Sequence, residues 1–329
     1  MAKKNVIAIG IFDGVHKGHK KILNAAVRLA KKNRTKAAAV TFYPHPLSVL
    51  RPGNAPSSLI SLKHRISLIK AAGIDGCEVI NFTKKFAAVR AEDFIKNTLV
   101  KKFNAGWIVI GEDFSFGAGR KGDYGFLKKK SAEYGFKVIK IKTLRYRGVT
   151  ISSSVLRRLI KEGRLKLAQR LLARPVSVMG TVVKGNSLGR VLGFPTANLN
   201  PHHEVVPPSG VYAVKVNLDP ALLINTSALP TTKVLHQKGG VDKTHSNLYN
   251  GVLNIGVRPT FYGLDKQDKE PAIEVFVFNF SKTIYGKDIE VLFVKKLRKE
   301  KRFESRQGLV KQIKKDTKEA ESALWHATI

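Results

Sequence analysis

Two histidines near the N-terminus have the type and spacing that phosphate chemistry needs. The apolar, strand-like segment Asn5–Gly10 is followed by Gly14, His16, Gly18 and His19. Residues three apart on the first turn of a helix face the same way. Glycines let the backbone come close to a phosphate, and a helix N-terminus adds oriented N–H donors. Two imidazoles placed there could donate hydrogen bonds to phosphate oxygens as charge builds in a transition state. The pattern indicates a phosphate-handling turn.

A second polar segment, Ile151–Arg157, could complete that site. Ser152 and Ser153 lie at a predicted helix start, where hydroxyls cap the helix or bind phosphate. Arg157 follows about one turn later, where a guanidinium could neutralise a leaving pyrophosphate. Alone, the segment is best explained as an ordinary helix N-cap. Beside the two histidines, it favours the functional interpretation.

Another group of candidate residues lies in the glycine-rich stretch Gly180–Asn198. The backbone of Gly185–Gly193 could bring N–H groups to a phosphate, although the Walker pattern G-x-x-x-x-G-K-[ST] is absent. Thr196 and Asn198 are two residues apart, so they face one way on a strand. Their neutral oxygens suit Mg²⁺ that is held chiefly through substrate phosphates. By composition alone, a structural turn is the better interpretation of this stretch.

Composition favours a globular protein of two domains in a reducing compartment. The chain has 329 residues, of which 43% are hydrophobic, and domains usually have ~100–200 residues. Cys77 is the only cysteine, which excludes an internal disulfide and a Cys-rich zinc site. The expected location is therefore cytoplasmic. No run approaches the ~18 apolar residues of a membrane span.

The charge is strongly positive, because 59 Lys and Arg residues oppose 24 Asp and Glu residues and give a net +35. Such a field attracts polyanions, including ATP, nucleic acids and anionic membranes. The cationic residues are scattered, however, and no helix-turn-helix, RRM or KH signature accompanies them. A solvated basic surface is therefore preferred over a dedicated nucleic-acid or membrane partner.

The first half of the chain alternates strand and helix patterns, which predicts a Rossmann-like α/β domain with a mostly parallel sheet. The predicted strands are Val6–Gly10, Ala37–Phe42, Gly76–Ile80, Trp107–Gly111 and Val138–Ile141. The predicted helices are Gly18–Lys32, Leu62–Ala72, Ala91–Phe103, Leu127–Tyr134 and the basic stretch Ser154–Leu172. Ligands of such sheets bind beyond the carboxyl ends of the strands. The histidine turn directly follows the first strand, at that edge.

The pattern changes at Arg174-Pro175, where we place a domain boundary between residues 1–174 and 175–329. Short strands with Gly, Pro and Asn turns then predict a small antiparallel β-barrel. These strands are Val176–Val183, Gly210–Val216, Tyr249–Ile255, Ile273–Phe280 and Ile289–Leu297. An amphipathic helix from about Ser305 is expected to cover the barrel. Residues 218–248 are interpreted as an insertion without a readable function.

The motifs of the first half resemble the nucleotidyltransferase half of the bacterial bifunctional riboflavin kinase/FAD synthetase family. They are Phe12–His19, Thr41–Pro46, Gly111–Gly117 and Ile151–Arg157. The resemblance implies an FMN adenylyltransferase domain in which His16, His19 and Arg157 are catalytic. The nucleotide contacts that it implies come from Phe12, Asp13, Gly14, Gly18, Ser152 and Ser153. The flavin contacts that it implies come from Pro44, Pro46, Asp113 and Phe116.

The motifs of the second half resemble the riboflavin kinase half of the same family, which implies a six-stranded barrel. They are Gly189–Asn198, Gly251–Phe261, Tyr285-Gly286 and Leu297-Arg298. The resemblance implies Glu274 as catalytic base and Mg²⁺ with ATP at Thr196 and Asn198. It further implies nucleotide contacts from Gly185, Arg190 and Gly193 and a flavin contact from Arg298. Alternation along a strand puts Glu274 on the same face as Phe276, Phe278 and Phe280. Phe276 and Asn279 depart from the family's usual His and Asp.

The resemblance implies two consecutive reactions, riboflavin + ATP → FMN + ADP and FMN + ATP → FAD + pyrophosphate. The small-molecule partners that the resemblance implies for the protein are ATP, riboflavin and FMN. Flavoproteins are expected recipients of FAD. The ribityl hydroxyl of riboflavin is neutral and needs a base, whereas the FMN phosphate is already ionised and needs cations and donors. Two alternatives stay open: that only one half is active, or that the chain is a basic nucleic-acid-binding protein on a retired enzyme scaffold. A nucleotidyltransferase for another phosphate acceptor would leave the kinase-like half unexplained.

Overall fold

The computed structural model of the chain describes residues 3–185, 189, 192–202, 204–220, 248–257, 271–325 and 327. These residues fall into two compact units. Residues 3–156 and 171–173 belong to the first unit, and residues 157–170 and the described residues from 174 onward belong to the second. The domain boundary placed at residue 174 stays a prediction.

The first unit is built on five parallel strands in the order β3-β2-β1-β4-β5. The strands are β1 (Asn5–Ile9), β2 (Ala37–Tyr43), β3 (Gly76–Asn81), β4 (Ala105–Gly111) and β5 (Lys137–Ile141). Residues Val6–Ile9 of the central strand are buried, as a strand covered on both faces requires. The chain reverses its direction of winding between β1 and β4, and such a switch point opens a ligand crevice at the carboxyl ends of the strands. The predicted Rossmann-like sheet is confirmed.

Helices connect these strands, and most begin and end close to their predicted bounds. They are α1 (Lys17–Lys32), α2 (Pro46–Leu50), α3 (Leu62–Ala71), α4 (Lys84–Ala87), α5 (Ala91–Asp93) and α6 (Tyr124–Tyr134). The predicted helix Ala91–Phe103 is confirmed, and α5 continues as a π-helix over Phe94–Lys102. Phe103 N donates to Thr98 O at 3.1 Å, a bond across five residues. This wider winding buries Phe94, Ile95 and Leu99 together.

The predicted basic helix Ser154–Leu172 is two helices, α7 (Ser153–Lys161) and α8 (Leu165–Leu172). Gly163 ends the first of them with a left-handed φ of 73°. Arg164 N then donates to Leu159 O at 2.8 Å, which is the closing bond of a glycine-terminated helix. A short hairpin, β6 (Arg145–Tyr146) and β7 (Val149–Thr150), precedes α7.

The second unit contains a closed antiparallel barrel of six strands in the order β10-β11-β12-β9-β8-β13. The strands are β8 (Ser177–Val183), β9 (Thr196–Asn200), β10 (Gly210–Asn217), β11 (Leu248–Val257), β12 (Pro271–Val277) and β13 (Asp288–Arg298). Along β12, Ile273 and Val275 are buried while Glu274 and Phe276 are partly exposed. The alternation therefore points Glu274 away from the barrel interior. The predicted barrel is confirmed.

The C-terminal helix α9 (Arg306–Trp325) packs on the outer face of this barrel. Ser305 caps it, since its Oγ accepts from Gly308 N at 3.1 Å. Ala320 and Leu324 are buried against Ala213 and Phe278, as the amphipathic spacing predicts. The expected insertion at 218–248 lies outside the described residues except at its ends.

Candidate active sites

The turn between β1 and α1 has an unusual backbone. Phe12, Gly14 and Val15 have φ values of 52°, 87° and 38°, all in the left-handed region. A left-handed conformation is rare for a bulky residue and rarer for a β-branched one, and such outliers cluster at functional sites. The side chains of Phe12 and Asp13 are buried. The two side chains therefore pack inside the protein under the turn. The nucleotide contacts predicted for these residues would come from their backbone atoms.

His16 and His19 lie side by side where α1 begins. Their rings stack with centroids 3.7 Å apart and an interplanar angle of 17°. His16 Nδ1 accepts from His19 N at 3.3 Å and so caps the helix. Because Nδ1 accepts, a neutral His16 carries its proton on Nε2, so Nε2 is the donor nitrogen of this ring. Gly18 leaves room for the His16 ring, since a Cβ there would lie 3.0 Å from His16 Cε1.

His19 is held in its neutral form. The residue keeps some exposed surface, but its Nδ1 is buried and has no hydrogen-bond partner among the described residues. Burial lowers the pKa of His19 well below its usual 6.5, and the neighbouring His16 and Arg65 lower it further. Two stacked imidazolium ions would repel each other, so a charge on one ring opposes protonation of the other.

The predicted partner segment reaches this turn through one of its serines. Ser153 Oγ donates to Asp13 O at 2.8 Å, which links the start of α7 to the turn. Ser152 Oγ accepts from Val155 N at 3.4 Å, the bond of a helix cap. Arg157 lies on α7 and is half-buried. Its role as a ligand of pyrophosphate stays a prediction.

The predicted flavin contacts follow β2 and β4, the two strands on either side of β1, at the same edge of the sheet. Pro44 and Pro46 come directly after β2, and exposed apolar side chains accompany them: Tyr43, Leu47 and Leu50. Asp113 follows β4, is exposed, and lies 3.4 Å from the Thr143 hydroxyl through its Oδ2. The adjacent aromatic of this segment, Phe116, is only 8% exposed.

Phe116 is packed among aromatic rings rather than lying open at the sheet edge. Its ring stacks on Phe114 at 5.7 Å and also contacts Phe94 and Phe126. Phe114 is more exposed than Phe116, and the sequence did not distinguish the two. The flavin contact of Phe116 stays a prediction.

In the barrel, Glu274 lies in one row with two asparagines on neighbouring strands. It is directly opposite Asn198 of β9 and directly opposite Asn254 of β11. Side chains in such pairs share a face, with Cβ atoms about 5 Å apart. Asn198 is buried, and Glu274 and Asn254 are half-buried. Sequence reasoning missed Asn254, because its position depends on strand register.

Thr196 lies one row further along the same face, opposite Phe276. The glycine-rich stretch comes close to both predicted metal ligands. A Cβ at Gly185 would overlap the Asn198 amide, and a Cβ at Gly189 would lie 2.8 Å from Thr196 Oγ1. Backbone, amide and hydroxyl therefore meet without side chains between them. These neutral oxygens beside the Glu274 carboxylate fit Mg²⁺ that arrives with phosphates. Gly193 is exposed, and Arg190 lies outside the described residues.

Arg298, the predicted flavin ligand, is engaged with α9. Its Nε and Nη2 donate to the Asp316 carboxylate at 2.8–3.0 Å, and its Nη1 donates to Lys299 O at 3.0 Å. Asp316 is 3% exposed and also accepts from Gln312 Nε2 at 2.8 Å. In this arrangement Arg298 fastens the helix to the barrel, and its flavin contact stays a prediction.

The fold and these two sites are those of a two-part enzyme that transfers groups from nucleotides, and comparison with known families divides the chain in the same way. The FAD synthetase family matches residues 1–155, and the riboflavin kinase family matches residues 172–324. The chain belongs to the family of bifunctional riboflavin kinase/FMN adenylyltransferases.

Relatives of that name align along almost their whole length. The protein from Buchnera aphidicola subsp. Schizaphis graminum is 36% identical over 313 residues, which cover 95% of this chain and 91% of the relative. The Escherichia coli K12 protein is 36% identical over 311 residues, covering 94% and 90%. The Bacillus subtilis protein is 34% identical over 321 residues, covering 96% and 92%.

A solved structure has the same fold over nearly the whole chain. It is a Streptococcus pneumoniae crystal structure described as a macrolide-efflux protein, with a TM-score of 0.75, 28% identity and coverage of 98% of this chain and 95% of that one. Among the residues described here, no helix combines the length and the apolar character needed to cross a membrane.

Proposed function

We propose that this chain makes FAD from riboflavin in two ATP-dependent steps. The barrel transfers the γ-phosphoryl group of ATP to riboflavin and yields FMN and ADP. The first unit then transfers the adenylyl group of a second ATP to FMN and yields FAD and pyrophosphate. The observation that carries the proposal is that one chain holds both the stacked histidines at a helix N-terminus and the Glu274 row on the barrel.

In the kinase step, Glu274 accepts the proton of the ribityl hydroxyl while that oxygen attacks the γ-phosphorus. A positioned carboxylate is suited to this work because the hydroxyl is neutral. Asn198 and Thr196 would hold Mg²⁺ bound to ATP, which screens the phosphate charge. Gly185 keeps the backbone against Asn198, so N–H groups can approach the phosphates.

In the adenylylation step, an FMN phosphate oxygen forms a bond to the α-phosphorus, and the bond to the pyrophosphate oxygen breaks. The attacking oxygen is already ionised, so no base is required. His16 Nε2, the ring of His19 and the first N–H groups of α1 donate to the phosphate oxygens as charge moves. Arg157 is proposed to neutralise the departing pyrophosphate.

The proposed partners are small molecules: ATP, riboflavin and FMN. Flavoproteins are the proposed recipients of FAD. The cytoplasm is the proposed compartment, because ATP is the phosphate donor and Cys77 is a free thiol. No dedicated nucleic-acid partner is proposed for the net charge of +35.

The deciding experiment incubates the full chain with riboflavin, ATP and Mg²⁺ and resolves the flavins over time. FMN should appear first and then convert to FAD. Glu274→Gln should slow FMN formation by about 10²–10⁴-fold while FMN supplied directly is still converted to FAD. Glu319→Gln is the matched control, since Glu319 is a partly exposed carboxylate of the same unit, 3.8 Å from Lys295.

Each failure has its own meaning. FMN that accumulates without FAD would leave only the barrel active. No conversion of riboflavin or of FMN would overturn the proposal. Steep salt-dependent binding to random duplex DNA would then favour the nucleic-acid alternative.

A further inference from the structure

A guanidinium lies buried beside the adenylyltransferase site. Arg65 of α3 is 1% exposed and is the largest fully buried side chain among the described residues. Its Nη1 donates to Phe42 O at 3.1 Å and to Thr41 Oγ1 at 3.5 Å, at the carboxyl end of β2. A buried cation is costly unless acceptors and opposite charge surround it. Its presence at the ligand edge of the sheet therefore calls for a function.

Arg65 is connected to the β1–α1 turn through a buried hydroxyl. Thr41 Oγ1 donates to Ile11 O at 2.8 Å, near the start of the turn. Asp13 lies within the turn, is 1% exposed, and accepts from Leu59 N at 3.0 and 3.2 Å. The chain of contacts runs from helix α3 through β2 to the first residues of the turn.

The charge of Arg65 acts on both ends of this turn. Burial lowers the pKa of the guanidinium, and Asp13 is the largest influence that raises it, ahead of Cys77 and Tyr43. The same charge, after burial and His16, lowers the pKa of His19. The Nε of Arg65 is buried without a hydrogen-bond partner among the described residues. The guanidinium is thus incompletely satisfied by the protein and stays a source of positive field.

We propose that Arg65 is a positioning residue of the adenylyltransferase site, which ties β2 to the histidine turn and supplies a fixed positive charge behind His16 and His19. The proposal rests on the proposed function of the first unit. A polyphosphate bound at the histidines would be attracted by the positive charge of the Arg65 guanidinium, which lies on the protein side of the site. The charge is already in place before the reaction, so its stabilising effect needs no rearrangement in the transition state.

The test replaces Arg65 with Met or Lys in the full chain and measures both reactions. Arg65→Met should lower kcat for FMN → FAD by about 100-fold, with KM for ATP and FMN within about threefold. Arg65→Lys restores the charge without the planar fork and should recover about tenfold of that loss. Riboflavin phosphorylation should not change. Lys70→Met is the matched control, because it removes an exposed positive charge from the same helix.

A titration of the His19 Cε1–H resonance separates positioning from packing. Its pKa should rise in Arg65→Met, since a neighbouring positive charge has been removed, and should not move in Lys70→Met. Wild-type kcat in Arg65→Met, or an unmoved His19 titration, would overturn the proposal. If Arg65→Met does not fold, the Arg65→Lys variant tests the proposal. A role of Arg65 in packing alone predicts that Arg65→Lys has the wild-type kcat for FMN → FAD. If wild-type protein makes no FAD, the proposed function fails, and the titration still tests Arg65.

Discussion

The two candidate sites differ in what holds their side chains in place. The site of the first unit lies on irregular backbone, with left-handed φ angles at Phe12 and Val15 and a histidine that caps its own helix. The barrel site lies on regular strand pairing, where Asn254, Glu274 and Asn198 are neighbours through the register alone. The first arrangement places two imidazole rings at a helix N-terminus, whereas the second presents a carboxylate among neutral oxygens.

This difference corresponds to the two nucleophiles. A phosphate that is already ionised has to approach another anion, so donors, a helix N-terminus and the buried Arg65 are what the first site offers. A ribityl hydroxyl has to lose a proton, and Glu274 is the base proposed for it in the second site. The division predicts that each reaction can be damaged without the other.

The sharpest way to break this comparison is to change His16, where a large loss confined to adenylylation is expected. Loss of one preorganised donor costs about 10²–10³-fold in kcat. His16→Ala and His16→Asn should both lose FAD formation by about that factor and keep riboflavin phosphorylation. Time courses with riboflavin and with FMN as substrates measure the two reactions separately.

His16→Asn is the informative member of that pair. Asn is a good helix N-cap, so it can replace Nδ1 as acceptor for His19 N. If His16→Asn forms FAD at the wild-type rate, His16 serves the helix and not the phosphate.

The contrast between irregular backbone in the first site and regular strand pairing in the second also determines how much of each site can be predicted from the sequence. Apolar strands, the helix α1 and the barrel were readable because burial imposes periods of 2 and 3.6 residues. Nothing in the residue types of Phe12 and Val15 indicates positive φ, and nothing marks Phe94–Lys102 as π-helical. Asn254 could not be paired with Glu274 without knowing the register.

Arg65 illustrates what is lost when contacts are distant in sequence. As one basic residue of 59, it carries no local signal. Its partners Thr41 and Phe42 lie 24 and 23 residues away, so only the folded sheet shows that its charge is buried.

The next largest effect is expected at Gly185 and should be confined to the kinase. A Cβ there overlaps the Asn198 amide, so Gly185→Ala displaces the backbone or the proposed metal ligand. Displacement by about 1 Å can cost up to 10²-fold, and we expect a loss of riboflavin phosphorylation of about 10–100-fold. Gly53→Ala is the control, because a Cβ at Gly53 meets nothing within 4 Å. Wild-type phosphorylation in Gly185→Ala would mean that the close approach is irrelevant to turnover.

A smaller effect, on stability, is expected from the ion pair that fastens α9. Asp316→Ala leaves the Arg298 guanidinium without its carboxylate, and breaking a largely buried pair should cost about 2 kcal/mol. The pair Lys295–Glu319 of the same unit is the control, since its side chains are 57% and 42% exposed and such pairs are worth at most about 1 kcal/mol. The chain has two tryptophans, Trp325 on α9 and Trp107 on β4. Urea unfolding followed by Trp325 in a Trp107→Phe background should shift clearly for Asp316→Ala and little for Glu319→Ala.

The smallest expected effect is a pH dependence confined to the first unit. His19 has a lowered pKa in the folded chain and an ordinary value near 6.5 when unfolded. Its contribution is therefore fully present above about pH 6.5 and is lost as pH falls, because the unfolded state binds the proton first. The slope is at most about 1.4 kcal/mol per pH unit for one proton. Urea midpoints reported by Trp107 in a Trp325→Phe background should fall on acidification, and less so in His19→Asn. Equal slopes in both proteins would show that His19 is not held neutral, and the field attributed to Arg65 would lose its target.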